Sequence, residues 1–479
     1  MSFTSFRFLA YTAVLLGLYY TVPRRGQWVL LLGASYGFYL QSGLRNMLFI
    51  LLTTASTFMA AGIIDRDRKT AKERCRKWVW LCLCLNFGLL ALCKVRLTLQ
   101  NILLPMGISF YMFQSAGYVL DVYRGSIKAE KNPLRFALFV AYFPQLVQGP
   151  ISKFGQLAPQ LFGEHPYDGK QVSFGLQRML WGYFKKLVVA DRIAVAVLTL
   201  RGPEYSGMSF LVLGCFYALQ LYGDFTGGID IALGLSEALG IRLPENFIRP
   251  FFSKNTAEYW RRWHITLGEW MKEYVFYPIS VSAPMRRLSR SARSRMPKFG
   301  KRLPVYCASC ATWLFTGIWH GITPNFLLWG MMNCAVIVLS QELTPLYQKF
   351  HSRFGWKQKR WYGCFEMLRM FLLMNLIRTT DLFPDVGEYF RRLGSLFASF
   401  RVPLMDLGLT GLDYGILICA AALMLTVSLL QEKHGSLREL LWEHTGLRYG
   451  LTVGLCLAVL LMGSYGIGYD AGSFIYNQF

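Results

Sequence analysis

Six histidines occur along the 479 residues, and two stand apart from the rest. His320 lies in TWLFTGIWHGITPNFLLWG (residues 312–330), an apolar run interrupted by Thr316-Gly317, His320-Gly321 and Pro324-Asn325 before it resumes at Phe326. Gly and Pro break or kink a helix at such a point, and broken backbone at membrane depth survives where it lines a cavity. A neutral imidazole there, its pKa lowered by desolvation, is what a general base in a dry channel requires. A structural histidine accounts for the same residue, and the residues alone leave those two readings level.

His264 lies in TAEYWRRWHITLGEWMKEYVFYP (256–278). Thr256 with Glu258 opens a helix there and Pro278 stops it. Trp260, Trp263, His264, Leu267, Trp270, Met271 and Tyr274 recur at spacings of three and four, which predicts one face of a single amphipathic helix at the membrane interface. Glu258 and Arg262 form a favourable i,i+4 pair on another face. From periodicity alone, His264 reads first as a satisfied residue of that helix. His165, His351, His434 and His444 sit in loops or polar stretches and read as solvated.

A third polar island, QLYGDFTGGID (220–230), sets Asp224 and Asp230 among Gly and Thr. Asp224 could wall a polar cavity, but satisfying a helix terminus is the simpler role. The glycines lack the Lys and strand of a phosphate loop, and neither a GxSxG elbow nor an HExxH pair occurs. Cys307 and Cys310 form a CxxC without a second pair or a spaced His, so helix packing explains them and no metal site is expected. Most of the 11 cysteines lie in apolar runs and imply no disulfide framework.

The elements that position these residues follow from composition. The chain is 54% hydrophobic and 16% aromatic but only 16% charged, with a mean hydropathy of +0.32. That excludes a disordered or fibrous chain, and a soluble interior could not hide so much apolar surface. Candidate spans fall near residues 6–22, 27–40, 46–64, 78–93, 101–120, 134–149, 177–200 and 208–222. Others fall near 305–319, 325–343, 362–377, 414–430 and 449–467. The fold class is therefore all-α and polytopic, with about 11–13 transmembrane or re-entrant helices. Residues 6–22 read as a retained span, because Pro23-Arg24-Arg25 follows in place of a small-residue cleavage site. No composition shift marks a boundary, so residues 1–479 read as one integral domain.

The 51 basic residues against 27 acidic ones give a net charge of +24. Residues 65–77 hold seven cations, and residues 285–303 hold eight with no acid. The positive-inside rule places both loops on the cytoplasmic side. There they serve as topology signals first, and as a landing surface for anionic lipid, an acidic carrier or a nucleotide-bearing donor second.

Taken together, RPFFSKNTAEYWRRWHITLGEWMKEYVFYPIS (249–280), FTGIWHG (315–321) and NFLLWG (325–330) resemble the membrane-bound O-acyltransferases. The likeness is greatest to the bacterial branch that holds alginate O-acetyltransferase and the D-alanyl transfer protein of teichoic acid modification. Supporting stretches run along almost the whole chain: residues 104–125, 142–152, 181–194, 220–247 and the terminal FIYNQF. Two departures are Gly223, where relatives often carry a bulkier residue, and Asn477, where an aromatic is common.

The resemblance implies a ring of tilted helices around a central tunnel in a bacterial cytoplasmic membrane. His320 matches the near-universal family histidine and His264 the second one. Trp260, Trp263, Trp270, Trp319, Asn325 and Asp224 become candidates for lining the donor channel. The implied reaction is O-acylation of a cell-surface or exported polysaccharide from a cytoplasmic thioester, acetyl-CoA or an acyl carrier protein's phosphopantetheine, with no bound cofactor. An extracytoplasmic SGNH-like or single-span acyltransferase partner is implied in the same way, and nucleic acid is not. D-alanyl transfer to teichoic acid is the alternative within the family. A lipid-linked sugar transporter or flippase is the alternative outside it, although it would call for repeated broken segments, and one is seen.

Overall fold

The computed structural model describes residues 1–100, 104–465 and 474. Among these the chain is all-α, with no strand and one isolated antiparallel bridge, Phe247 to Trp263. It is a polytopic membrane protein. Among the described residues, five helices are long and apolar enough to cross a bilayer: α1 (Leu44–Asp67), α2 (Lys72–Gln100, qualifying over Lys72–Val95), α4 (Met208–Ala238), α11 (Gly411–His434) and α12 (Thr445–Met462). A sixth arises if α9 (Pro324–Glu342) and the following helix Thr344–Phe354, bent by 52°, count as one broken span.

Other expected segments are shorter. Residues 6–22 and 27–40 become helices of 16 and 14 residues, and 14 residues rise only about 21 Å against a hydrocarbon core of about 30 Å. Part of the segment expected at 101–120 falls on residues 101–103, outside the described residues, and so does the tail FIYNQF apart from Phe474.

Contacts divide the chain into two compact units, one of residues 1–191, 222–244 and 433–479, the other of residues 192–221 and 245–432. In the first, helix α3 (Gly169–Tyr183) runs into a π-helical segment, Phe184–Ala190. Close glycine contacts bring this element against the part of α4 that lies in the same unit. A Cβ on Gly182 would stand 2.6 Å from the Gly227 carbonyl oxygen, and one on Gly175 would stand 2.4 Å from that of Gly234. Small residues at an interface let backbones approach this way.

The seam encloses a charge-balanced cluster. Lys186 Nζ lies 2.6 Å from Asp224 and 2.7 Å from Asp191. Lys185 Nζ lies 2.6 Å from Asp230, whose other oxygen takes Arg178 Nε at 2.9 Å. The Phe474 ring closes over Lys186 at 4.4 Å. Three cations face three carboxylates, as burial of charge demands.

The second unit contains α5 (Thr256–Arg262), α6 (Ile265–Met271), α7 (Ala283–Arg295), α8 (Pro297–His320), α9 and α10 (Arg360–Arg378). Helix α7 carries the basic loop. Ser289 donates to the Gly300 carbonyl at 2.7 Å, and a Cβ on Gly300 would lie 2.5 Å from Arg293 N, so α7 folds back tightly on α8. Arg286, Arg287, Arg290, Arg293 and Arg295 all stay exposed.

Candidate active site

His320 is the last residue of α8, and Gly321 caps that helix in an extended conformation (φ −173°). The expected break is therefore present, and glycine makes it tight. A Cβ on Gly321 would strike the Phe326 ring at 2.2 Å, one on Gly317 the Phe326 carbonyl oxygen at 2.6 Å, and one on Gly330 the Trp313 carbonyl oxygen at 2.5 Å. Helices α8 and α9 thus close on each other just before the histidine. Its half-buried imidazole sits 4.6 Å from the Trp319 ring, 4.7 Å from Trp329 and 6.2 Å from Phe326, the last nearly parallel at 16°. Asn325, buried at the start of α9, donates from Nδ2 to the Thr380 carbonyl at 3.2 Å.

The single amphipathic helix expected over residues 256–278 is not formed. It breaks at the histidine: α5 ends at Arg262, Trp263 is extended, and His264 has φ +47° and ψ +52° before α6 begins. A π-helical segment, Lys272–Phe276, follows. Left-handed backbone is uncommon for a residue with a Cβ and persists where its surroundings over-determine it.

Here the segment around Asn246 does so. Ile248 N bonds to Arg262 O at 2.9 Å and Ile265 N to Asn246 O at 3.0 Å, and these bonds flank the Phe247–Trp263 bridge. The period of three and four persisted through Trp263 and His264 because residues on both sides of the break face the same interior. A hydropathy pattern does not register a backbone turn. The Glu258–Arg262 pair forms at 3.0 Å, and Arg262 also meets Glu432 at 3.1 Å.

One residue the sequence reading passed over sets the tautomer of His264. Asn246 Oδ1 accepts from Thr266 N at 3.1 Å and from Thr266 Oγ1 at 2.9 Å, and lies 3.2 Å from His264 Nδ1. A backbone N–H can only donate, so the Asn246 atom is an oxygen and Nδ1 must carry the proton toward it. The basic lone pair is left on Nε2. The ring is almost fully buried, 3% exposed, and burial pushes its pKa down to about 3. His264 is therefore neutral at physiological pH.

Trp319 links the two histidines, with its ring 6.1 Å from His264 as well as 4.6 Å from His320. Phe247 stacks on His264 at 6.4 Å. Trp260 packs edge-on to Trp313 at 4.7 Å and to Trp329 at 6.0 Å, which completes an aromatic wall beside His320. Trp263 carries the Arg378 guanidinium 4.1 Å above its ring. Trp270 is buried against Tyr274 at 5.1 Å, along α6 and the π segment.

Seven of the eight candidate residues therefore belong to the second unit. Asp224 belongs to the first, in its ion pair with Lys186. Besides Asn246, the residues missed were Trp313, Trp329 and Arg378. Arg378 had a signal, a cation at the end of an apolar helix. Among the described residues no group of His, Cys, Asp and Glu could hold a metal ion.

A family model described as the membrane-bound O-acyltransferase family matches residues 127–380. A probable alginate O-acetylase AlgI from Pseudomonas syringae pv. tomato is 34% identical over 351 residues, covering 69% of this chain and 64% of that protein. A peptidoglycan O-acetyltransferase from Helicobacter pylori is 30% identical over 295 residues, covering 56% of this chain and 52% of its own length. A teichoic acid D-alanyltransferase from Bacillus subtilis is 23% identical over 268 residues, covering 55% and 64%.

Proposed function

The chain belongs to the membrane-bound O-acyltransferase family, and from that premise we propose that it moves an acetyl group from a cytoplasmic thioester to a hydroxyl of an exported or cell-surface polysaccharide. The observation that carries the reading is the pair of imidazoles in one aromatic enclosure, His320 at a glycine-lined helix break and His264 locked with its lone pair on Nε2.

In the proposed step His320 takes the proton of the acceptor hydroxyl as its oxygen adds to the thioester carbonyl. Collapse of the tetrahedral intermediate breaks the C–S bond, and the proton passes to the departing thiolate. A placed base contributes about 10²–10⁴-fold, and alignment in a water-poor site adds to it. His264 positions His320 or the donor through Trp319. No metal or bound cofactor is needed for this chemistry, and the donor is acetyl-CoA or an acyl-carrier phosphopantetheine. Acetyl is favoured over D-alanyl because the alginate O-acetylase relative is 34% identical and the D-alanyltransferase 23%.

The bacterial cytoplasmic membrane is the setting of this reading, with the basic segments facing the donor side. An extracytoplasmic SGNH-like or single-span acyltransferase partner would complete delivery. Thiol release from acetyl-CoA by the purified full chain, given a short oligosaccharide acceptor, tests the proposal. Acceptor-dependent release above background is expected. A transporter or flippase would give none, and that result would end the acyltransferase reading.

A further inference from the structure

Arg378 is a cation in the interior of the second unit that makes no ion pair within 4.0 Å among the described residues. It ends α10 and is 5% exposed. Nη2 donates to the Tyr259 hydroxyl, and the guanidinium lies 4.1 Å from the centroid of the Trp263 ring. Nη1 is buried with no hydrogen-bond partner among the described residues, which offer the side chain no ion pair either. The carboxyl nearest in sequence, Asp381, does not close on it, and burial lifts that group to about 7 although Arg378 draws it down.

A lysine in such a place could shed its proton, but a guanidinium cannot. Burying an unpaired charge is costly even after the surroundings relax. The Trp263 face offsets part of that cost. The in-plane donor Nη1 stays unsatisfied. Buried donors of this kind are rare in folded proteins and call for an explanation.

Its position supplies one. Trp263 precedes His264 in the chain, and Tyr259 stacks on Trp263 at 5.8 Å. Thr380, two residues past Arg378, holds the Asn325 amide at the start of α9, and Asn325 Oδ1 is itself buried without a hydrogen bond. Arg378 thus touches the His264 segment directly, while Thr380, two residues on, touches the segment that follows His320.

We infer that Arg378 is the anion-binding group of the acyl-transfer site, a role that rests on the acyltransferase reading above. Nη1 receives a negatively charged oxygen. That oxygen is either the carbonyl oxygen of the thioester as the hydroxyl adds and the C=O pair moves onto it, or a phosphate oxygen of the donor. In the first case the charge returns to the carbon as C=O re-forms and the thiolate leaves with the proton taken by His320.

The test uses the full chain in nanodiscs as wild type, Arg378→Gln and Arg378→Lys, with acetyl-CoA and with S-acetyl-N-acetylcysteamine, a thioester without phosphates. If Nη1 meets the developing oxyanion, Arg378→Gln lowers kcat about 10²–10³-fold on both thioesters and leaves KM within about twofold. If it meets a donor phosphate, KM for acetyl-CoA rises about tenfold or more, and the phosphate-free thioester is unaffected. A folded Arg378→Gln protein with wild-type kcat and KM on both thioesters overturns the inference.

Should Arg378→Gln not fold, Arg378→Lys decides. Its point charge cannot serve Tyr259 and the anion together, so a loss of about tenfold is expected, and wild-type kinetics refute the role. A wild type that releases no thiol refutes the acyltransferase reading, and this inference with it.

Discussion

At the scale of single residues, the account turns on what fixes each imidazole. Asn246 Oδ1 collects three donors, one of them His264 Nδ1. Asn246→Ala removes that acceptor and strands the buried Thr266 N–H, at a cost of about 1–3 kcal/mol. Thermal melting of the detergent-solubilised protein should drop accordingly. Acyl transfer should fall about tenfold or more as His264 loses its tautomer. Thr266→Val, which deletes one donor and keeps the acceptor, should lose much less of both.

Protonation gives a second check on His264. Its pKa near 3 lies below the ordinary value of about 6.5. Between those values the unfolded chain binds the proton that the folded chain refuses, so stability rises with pH across that window and levels off above it. Stability should therefore decline as pH falls from 6.5 toward 3, by up to about 1.4 kcal/mol per pH unit from this group, and the melting temperature with it. A His264→Gln variant should lack that part of the slope. If its pH–stability curve parallels the wild type's, His264 is not buried as described.

At the scale of elements, the two histidine segments differ in how far the sequence could be read. The break at His320 was legible because Gly317, Gly321 and Pro324 announce it. The break at His264 was not, since no Gly or Pro marks it. The left-handed turn is imposed by the distant Asn246 segment, through backbone bonds on either side of the bridge. Asp224 was legible as a polar residue out of place. Its partner Lys186, which Asp191 also holds, was not, because Lys186 lies in the π-helical segment that leads into Asp191.

The glycine seam of α8 and α9 can be tested directly. Gly330→Ala puts a methyl 2.5 Å from the Trp313 carbonyl oxygen, an overpacking cost of about 1–3 kcal/mol, and should separate the helices that frame His320. Gly454→Ala, in α12 with open space around it, should be neutral or stabilising by up to about 1 kcal/mol. Equal melting temperatures for the two variants would contradict the close approach.

At the scale of the whole molecule, charge has two opposite uses. Fifteen of the 51 basic residues lie in residues 65–77 and 285–303. In the first segment Lys69, Lys72, Arg74 and Lys77 line a concavity of 620 Å³. The interior cluster of the first unit is balanced instead, cation against carboxylate. Lys186→Met strands both Asp224 and Asp191 and should cost about 3–5 kcal/mol; Asp224→Asn, which leaves Lys186 with Asp191, should cost less, and the double variant should recover only the part of the Lys186→Met loss owed to Asp224. A thermodynamic cycle on melting of the full chain checks it, and additive losses would contradict the pairing.

By the positive-inside rule the two basic segments predict an orientation. A cysteine placed at Lys298 should be labelled by an impermeant maleimide in inverted vesicles and not in intact cells, and the reverse pattern would contradict the assigned topology.

The central claim is that this enclosure transfers acyl groups through His320. The most direct measurement is transfer of radiolabelled acetyl from acetyl-CoA, supplied to inverted membrane vesicles, into polysaccharide by the wild type and by His320→Ala at matched membrane levels. The account predicts robust transfer by the wild type and a loss of about 10²-fold or more in the variant, which still inserts and purifies folded. Wild-type transfer by His320→Ala would contradict it.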